Sequence, residues 1–115
     1  KLDGTIIIST PQEVALLDVK RGIKMFDKLK VKILGLVDNM SYFMTEEGKK
    51  YNIFGEGGVK KTAQEFDKEF LGEIPLEPLV GKSGDNGKPI VEEFPEHKIS
   101  KIYSEIANKI CLNFN

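Results

Sequence analysis

The segment Val37-Asp38-Asn39-Met40 places a carboxamide at the end of an apolar run that reads as a buried strand. One acceptor and two donors let an Asn pair with N6 and N7 of an adenine at once. The same residue also caps turns routinely, and the composition alone leaves that reading open. A second stretch, Gly72-Glu73-Ile74-Pro75-Leu76-Glu77-Pro78, ends a strand at a proline that cannot donate to a ladder, so free backbone groups there could meet a purine edge or simply form a turn. Thr10-Pro11-Gln12 stands where a helix begins, and unpaired N–H groups at such an end suit an anion.

Three other candidates carry less. Gly55-Glu56-Gly57-Gly58-Val59-Lys60-Lys61-Thr62 almost spells the phosphate loop G-x-x-x-x-G-K-[ST], but Lys60 fills the place of the second glycine. His97 and Cys111 are the sole histidine and cysteine, and fourteen residues on one helix separate them by about 21 Å, too far for a catalytic pair. Asp85, within Ser83-Gly84-Asp85-Asn86-Gly87-Lys88-Pro89, reads as a turn residue. The residues alone identify no catalytic machinery.

Alternating strands and helices must position these groups. Thr5–Ser9, with three consecutive isoleucines, and Val31–Val37 read as strands apolar on both faces, as in a parallel sheet. Between them the T-x-x-E of Thr10 and Glu13 predicts a capping box, with Pro11 in the first helical position. Leu16, Val19, Ile23 and Phe26 then form one stripe. A small hairpin is expected from Ser41–Met44 and Lys50–Phe54, a short helix from Gly58, a third strand at Phe70–Ile74, turns with one short helix over 78–95, and a final helix from Glu96 to Cys111. The fold class is α/β, a mostly parallel sheet with flanking helices and ligands expected at the carboxyl ends of the strands.

The chain has 115 residues, 40% hydrophobic and 30% charged, enough for one core. Seventeen Lys+Arg against eighteen Asp+Glu give a net charge of −1, so bulk charge offers nothing to nucleic acid. No apolar run approaches the roughly 20 residues of a membrane helix. One cysteine excludes an internal disulfide and suits a reducing cytoplasm. A three-strand sheet opening abruptly at Lys1, without Met, reads as the second half of a larger domain.

In order along the chain, Ser9-Thr10-Pro11-Gln12, Gly35-Leu36-Val37-Asp38-Asn39-Met40-Ser41-Tyr42-Phe43, Ile53-Phe54-Gly55-Glu56-Gly57-Gly58, Leu71-Gly72-Glu73-Ile74-Pro75-Leu76 and Asp85-Asn86-Gly87-Lys88-Pro89-Ile90 resemble segments of the Mrp/ApbC iron–sulfur cluster carriers, MinD/ParA-like ATPases with a deviant P-loop. The resemblance implies the second half of a P-loop NTPase domain of the SIMIBI type, residues 1–115, with the phosphate loop and Mg²⁺ ligands in a preceding half. It implies that Asn39 reads the adenine of ATP, that Pro75, Leu76 and Glu77 line the purine, and that Thr10, Pro11 and Gln12 lie nearer the phosphates and a subunit interface. It also rejects 55–62 as a phosphate loop. Implied partners are a second copy in a homodimer and iron–sulfur client or scaffold proteins, without nucleic acid or membrane. This segment by itself is expected to lack ATPase activity.

Family members commonly carry C-P-x-C-G after N-M-S-x-F, whereas Phe43 here precedes Met44-Thr45-Glu46-Glu47-Gly48. Thr and Glu are poor substitutes for cluster-ligating thiolates, so the resemblance does not carry an iron–sulfur cluster over to that site. Two other readings stand beside the first: a non-catalytic interaction module with a vestigial nucleotide site, and a MinD/ParA-like positioning ATPase.

Overall fold

The computed structural model describes residues 2–114. Strands β1 (Thr5–Ser9), β2 (Ile33–Asn39) and β5 (Phe70–Ile74) form a parallel sheet in the order β1-β2-β5, while β3 (Phe43–Met44) and β4 (Lys50–Tyr51) make the expected antiparallel hairpin. The helices are α1 (Glu13–Lys28), α2 (Gly58–Glu65), α3 (Pro78–Asp85), α4 (Ile90–Glu93) and α5 (Lys98–Cys111), followed by a 3₁₀ turn, Leu112–Phe114.

Alternation along β2 divides the core in two. Leu36 points to the face covered by α1 and α2, where Val19, Ile23, Val59 and Ala63 enclose it; Val37 points to the other face, against Leu71, Ile74, Ile99 and Ile106. Removing a fully buried Leu or Ile from water contributes about 2–3 kcal/mol each, which makes Leu36 and Ile23 the main anchors of the first face. Gly35 permits the sheet to close: a Cβ there would sit 2.4 Å from Leu71 Cγ. On β1 the stripe is incomplete, and Ile8 remains 62% exposed on the sheet's unpaired edge.

Three helices end by one device. In α1, Val31 N–H bonds Phe26 O (2.9 Å) and Lys30 N–H bonds Asp27 O (3.2 Å); α2 repeats this with Lys68 to Ala63 and Asp67 to Gln64, and α3 with Lys88 to Ser83 and Gly87 to Gly84. Each is a Schellman closure whose pivot, Lys30, Asp67 or Gly87, has φ of 58°, 55° or 68°. The closure of α1 claims Val31, so β2 starts at Ile33 rather than Val31; at its other end β2 runs to Asn39, two residues past the expected Val37. Asp85 is likewise the last residue of α3, not part of an open turn, and residues 78–95 hold two helices where one was expected.

The capping box at α1 is not formed. Gln12 is the N-cap and offers no side-chain bond to the free N–H groups; the Thr10 hydroxyl donates instead to Gln12 Oε1 at 3.1 Å. Tertiary contact displaces the helix start, because Pro11 is buried with its carbonyl against the backbone of Gly55.

Candidate functional site

The carboxyl ends of all three strands share one rim. Ser9 lies opposite Asp38, and Asn39 lies opposite Ile74, so β2 delivers Asn39 level with the Ile74-Pro75 step. Asn39 is half-buried, on the α3–α5 face of the sheet, and none of the side-chain hydrogen bonds among the described residues uses its carboxamide. The turn after it is tight. Met40 takes φ 52°, and Ser41 N–H returns to Ile74 O at 3.0 Å, binding the turn to β5.

Beyond the strand, Pro75 is buried, and Leu76 N–H is already spent on Tyr42 O at 2.7 Å. What remains toward a purine is narrower than free backbone throughout: the carbonyls of Pro75 and Leu76, the N–H of Glu77 and its carboxylate. That carboxylate is not loose. Glu77 is the N-cap of α3, and its Oε1 lies 3.4 Å from Nε2 of His97, both side chains about a quarter exposed at 27% and 25%. His97 in turn caps α5, its Nδ1 accepting from Ile99 N–H at 3.1 Å, so the proton on the neutral ring belongs on Nε2, facing Glu77. The sequence offers one signal for this role, the place of His97 immediately before the apolar stripe of the last helix.

Thr10, Pro11 and Gln12 follow β1 on the same rim, with Pro11 against the glycine loop before α2. Gly55 adopts φ 127°, and a Cβ on it would come within 2.9 Å of Pro11 O, so a side chain there would force the two segments apart. A cleft of about 710 Å³ opens beside them, lined by Pro11, Leu16, Leu17, Phe54, Gly58 and Lys61 among others, and it does not include Asn39 or 75–77. Of Thr10, Pro11 and Gln12, only Pro11 lines this cleft; Thr10 follows Ser9, which lies opposite Asp38, the residue before Asn39. The 55–62 segment is no phosphate loop: it follows a two-residue hairpin strand rather than a parallel strand, and Lys60 and Lys61 are exposed on α2.

Asp38, beside Asn39 on β2, is a buried polar group that no local sequence pattern marks. It is 1% exposed, Oδ1 has no hydrogen-bond partner among the described residues, and burial, opposed by Ser41 and aided by the Glu73 charge, lifts its carboxyl to about 6. Ser41 donates its hydroxyl proton to Glu73 Oε2 at 2.6 Å.

Where a cluster would need thiolates, the β3–β4 hairpin closes on itself. Thr45 Oγ1 accepts from Lys49 N–H at 3.0 Å, and Thr45 N–H donates to Lys49 O. The lone Cys111 is exposed at the end of α5, and no group of three or more His, Cys, Asp or Glu suited to a metal occurs among the described residues. These residues do not fit a thiolate-held cluster. No described helix is long and apolar enough to cross a membrane.

The family model of the ParA class described as NUBPL iron-transfer P-loop NTPase matches residues 1–111. The chain belongs to this family. Relatives of this NUBPL-type chain include the "Iron-sulfur protein required for NADH dehydrogenase, mitochondrial" of Arabidopsis thaliana, 45% identical over 96% of the chain and 36% of that protein. The "Iron-sulfur cluster carrier protein" of Escherichia coli strain K12 is 38% identical over 94% of the chain and 30% of its own length. The chain thus spans about a third of these relatives. A nucleotide-binding protein of Archaeoglobus fulgidus, solved in complex with ADP, superposes with TM-score 0.67 at 37% identity, covering 80% of the chain and 37% of its own. The Pyrococcus furiosus cell division ATPase MinD has TM-score 0.72 at 21% identity over 94% of the chain and 42% of that protein, a likeness of fold.

Proposed function

We propose that this chain forms the base-recognising part of an adenine-nucleotide site in a protein of iron–sulfur cluster assembly or transfer. The observation that carries the reading is the uncommitted carboxamide of Asn39 at the carboxyl end of the central parallel strand, level with the Ile74-Pro75 step. Open α/β sheets bind ligands at that rim, and the Archaeoglobus relative that holds ADP supports the same class of ligand.

In this reading the two faces of the Asn39 amide meet the adenine edge, the carbonyls of Pro75 and Leu76 border the ring, and the Glu77 carboxylate accepts from the exocyclic amine. Thr10, Pro11 and Gln12 stand toward the phosphates and toward a second copy of the protein. ATP with Mg²⁺ would supply the energy of a conformational cycle. Among the described residues no group of three or more His, Cys, Asp or Glu would hold the metal, and in this reading the Mg²⁺ and the remaining phosphate contacts belong to a preceding half of the domain, as the family likeness implies. The iron–sulfur cluster is cargo rather than a resident group, exchanged with client or scaffold proteins and carried by ligands other than the β3–β4 hairpin. A single exposed thiol suits a reducing compartment such as the cytoplasm.

Fluorescent ADP titrated into the protein tests the assignment. Asn39→Ala should weaken binding about fivefold or more, as expected for a bidentate base contact worth about 1–3 kcal/mol, and unchanged affinity would remove the base from this rim. The hairpin without thiolates favours a second reading, an interaction module indifferent to nucleotide. Saturable ADP binding that depends on Asn39 excludes it.

A further inference from the structure

Asp38, Ser41 and Glu73 form a carboxylate–hydroxyl–carboxylate cluster behind the turn that presents Asn39. Parallel register puts Asp38 opposite Glu73 on the α1–α2 face of the sheet, while Asn39 faces the other way. Ser41 lies two residues past Asn39, so whatever fixes Ser41 fixes the turn. Two bonds do so: its N–H to Ile74 O at 3.0 Å and its hydroxyl to Glu73 Oε2 at 2.6 Å.

The Ser41 hydroxyl gives its proton to Glu73 at 2.6 Å and still lowers the Asp38 carboxyl against the effect of burial. Asp38 is 1% exposed, and its Oδ1 has no hydrogen-bond partner among the described residues. An ionised carboxylate in that state is costly, and a second one beside it more so. The neutral acid removes both difficulties and adds a donor of its own. We propose that Glu73 and Asp38 are positioning residues for Asn39: Glu73 anchors Ser41, and the protonated Asp38 beside it lets the pair hold the turn without charge repulsion.

Among the described residues, Glu73 is the charged group that raises Asp38; Ser9 on β1 and Ser41 on the turn are neutral. Burial keeps the proton on Asp38 up to about pH 6. Above that, the two carboxylates repel, compete for Ser41, and loosen the turn. The inference rests on the nucleotide reading for its effect on a ligand, but the lock itself is a property of the chain.

The test uses adenosine, which carries no phosphate to titrate, and amide hydrogen exchange at Ser41 with Leu36 as the reference for global folding. Wild type should lose roughly threefold to tenfold in adenosine affinity, and Ser41 protection relative to Leu36, between pH 5 and 7.5. Asp38→Asn should hold the tighter affinity at both pH values. Glu73→Ala and Ser41→Ala should weaken binding at both, and Glu73→Gln, which can still accept from Ser41, should restore it. A pH dependence that survives in Asp38→Asn overturns the proposal. So does a Ser41→Ala variant with wild-type affinity and protection, a substitution that leaves β5 intact if Glu73→Ala fails to fold. Absence of adenosine binding at either pH, with Ser41 protection still following Asp38, overturns the nucleotide reading and leaves the lock standing.

Discussion

Nε2 of His97 lies 3.4 Å from Oε1 of Glu77, joining the first residue before α5 to the first residue before α3. One imidazole thus performs two tasks, capping a helix through Nδ1 and steering a carboxylate at the rim through Nε2. His97→Ala should cost about 1 kcal/mol as a lost cap, read as a lower midpoint in urea denaturation. His97→Asn keeps a capping oxygen without the reach to Glu77. It should recover the stability but not the nucleotide affinity, which separates the two tasks.

Asp38 makes stability depend on pH in a definite direction. Its carboxyl is lifted from 3.8 to about 6, so the folded state holds the proton more tightly than the unfolded chain. The contribution is fully present below about pH 4 and is lost as the pH rises through 6. A shift of about two units corresponds to about 3 kcal/mol. Urea unfolding of wild type against Asp38→Asn should therefore show a difference that grows in the variant's favour from pH 4 to 7, then levels. A constant difference across that range would refute the buried-acid account.

The pivot of the closure after α1 is a lysine held at φ 58°, where a side chain is strained. Lys30→Gly should raise stability by about 1 kcal/mol, measured by urea denaturation, whereas Gly87→Ala at the equivalent place after α3 should lower it by a similar amount.

Lys61 is exposed on α2 and lines the cleft beside Pro11, whose lining does not include Asn39. Lys61→Ala should leave ADP affinity within about twofold of wild type, and purified 115-residue protein should show no ATP turnover. Turnover abolished by Lys61→Ala would reinstate the 55–62 segment as a phosphate loop.

Much of this architecture is legible in the residues. Three isoleucines in a row mark β1 at its observed bounds, and the Leu16, Val19, Ile23, Phe26 stripe finds its core. The start of α1 is not legible, because Thr10 and Glu13 have the local chemistry of a cap while the buried contact of Pro11 with the Gly55 loop sets the boundary. In 78–95, glycine and proline suggested turns. What makes helices there is long-range: Ser83 and Ile90 are buried, and the Ser100 hydroxyl reaches the carbonyls of Ile90 and Phe94 at 3.1 and 2.7 Å. Asn39 could be picked out by residue type and strand position. Asp38 could not, since its character comes from a strand partner thirty-odd residues away that no local pattern reveals.

The register of β5 slips at one point: Leu36 lies opposite Phe70 but Val37 lies opposite Gly72, so Leu71 is an extra residue. The surplus explains why Gly72 has no side chain, for a Cβ would stand 3.2 Å from Ile106 beside Leu71. It also inverts the parity of everything downstream. In an unbroken strand, residue 73 would turn toward α5, and an acid there would be stranded in hydrocarbon. Deleting one residue between Phe70 and Gly72 would thus do more than shorten a strand: it would exchange the inner and outer sides of the rim and swing the glutamate away from the turn it tethers.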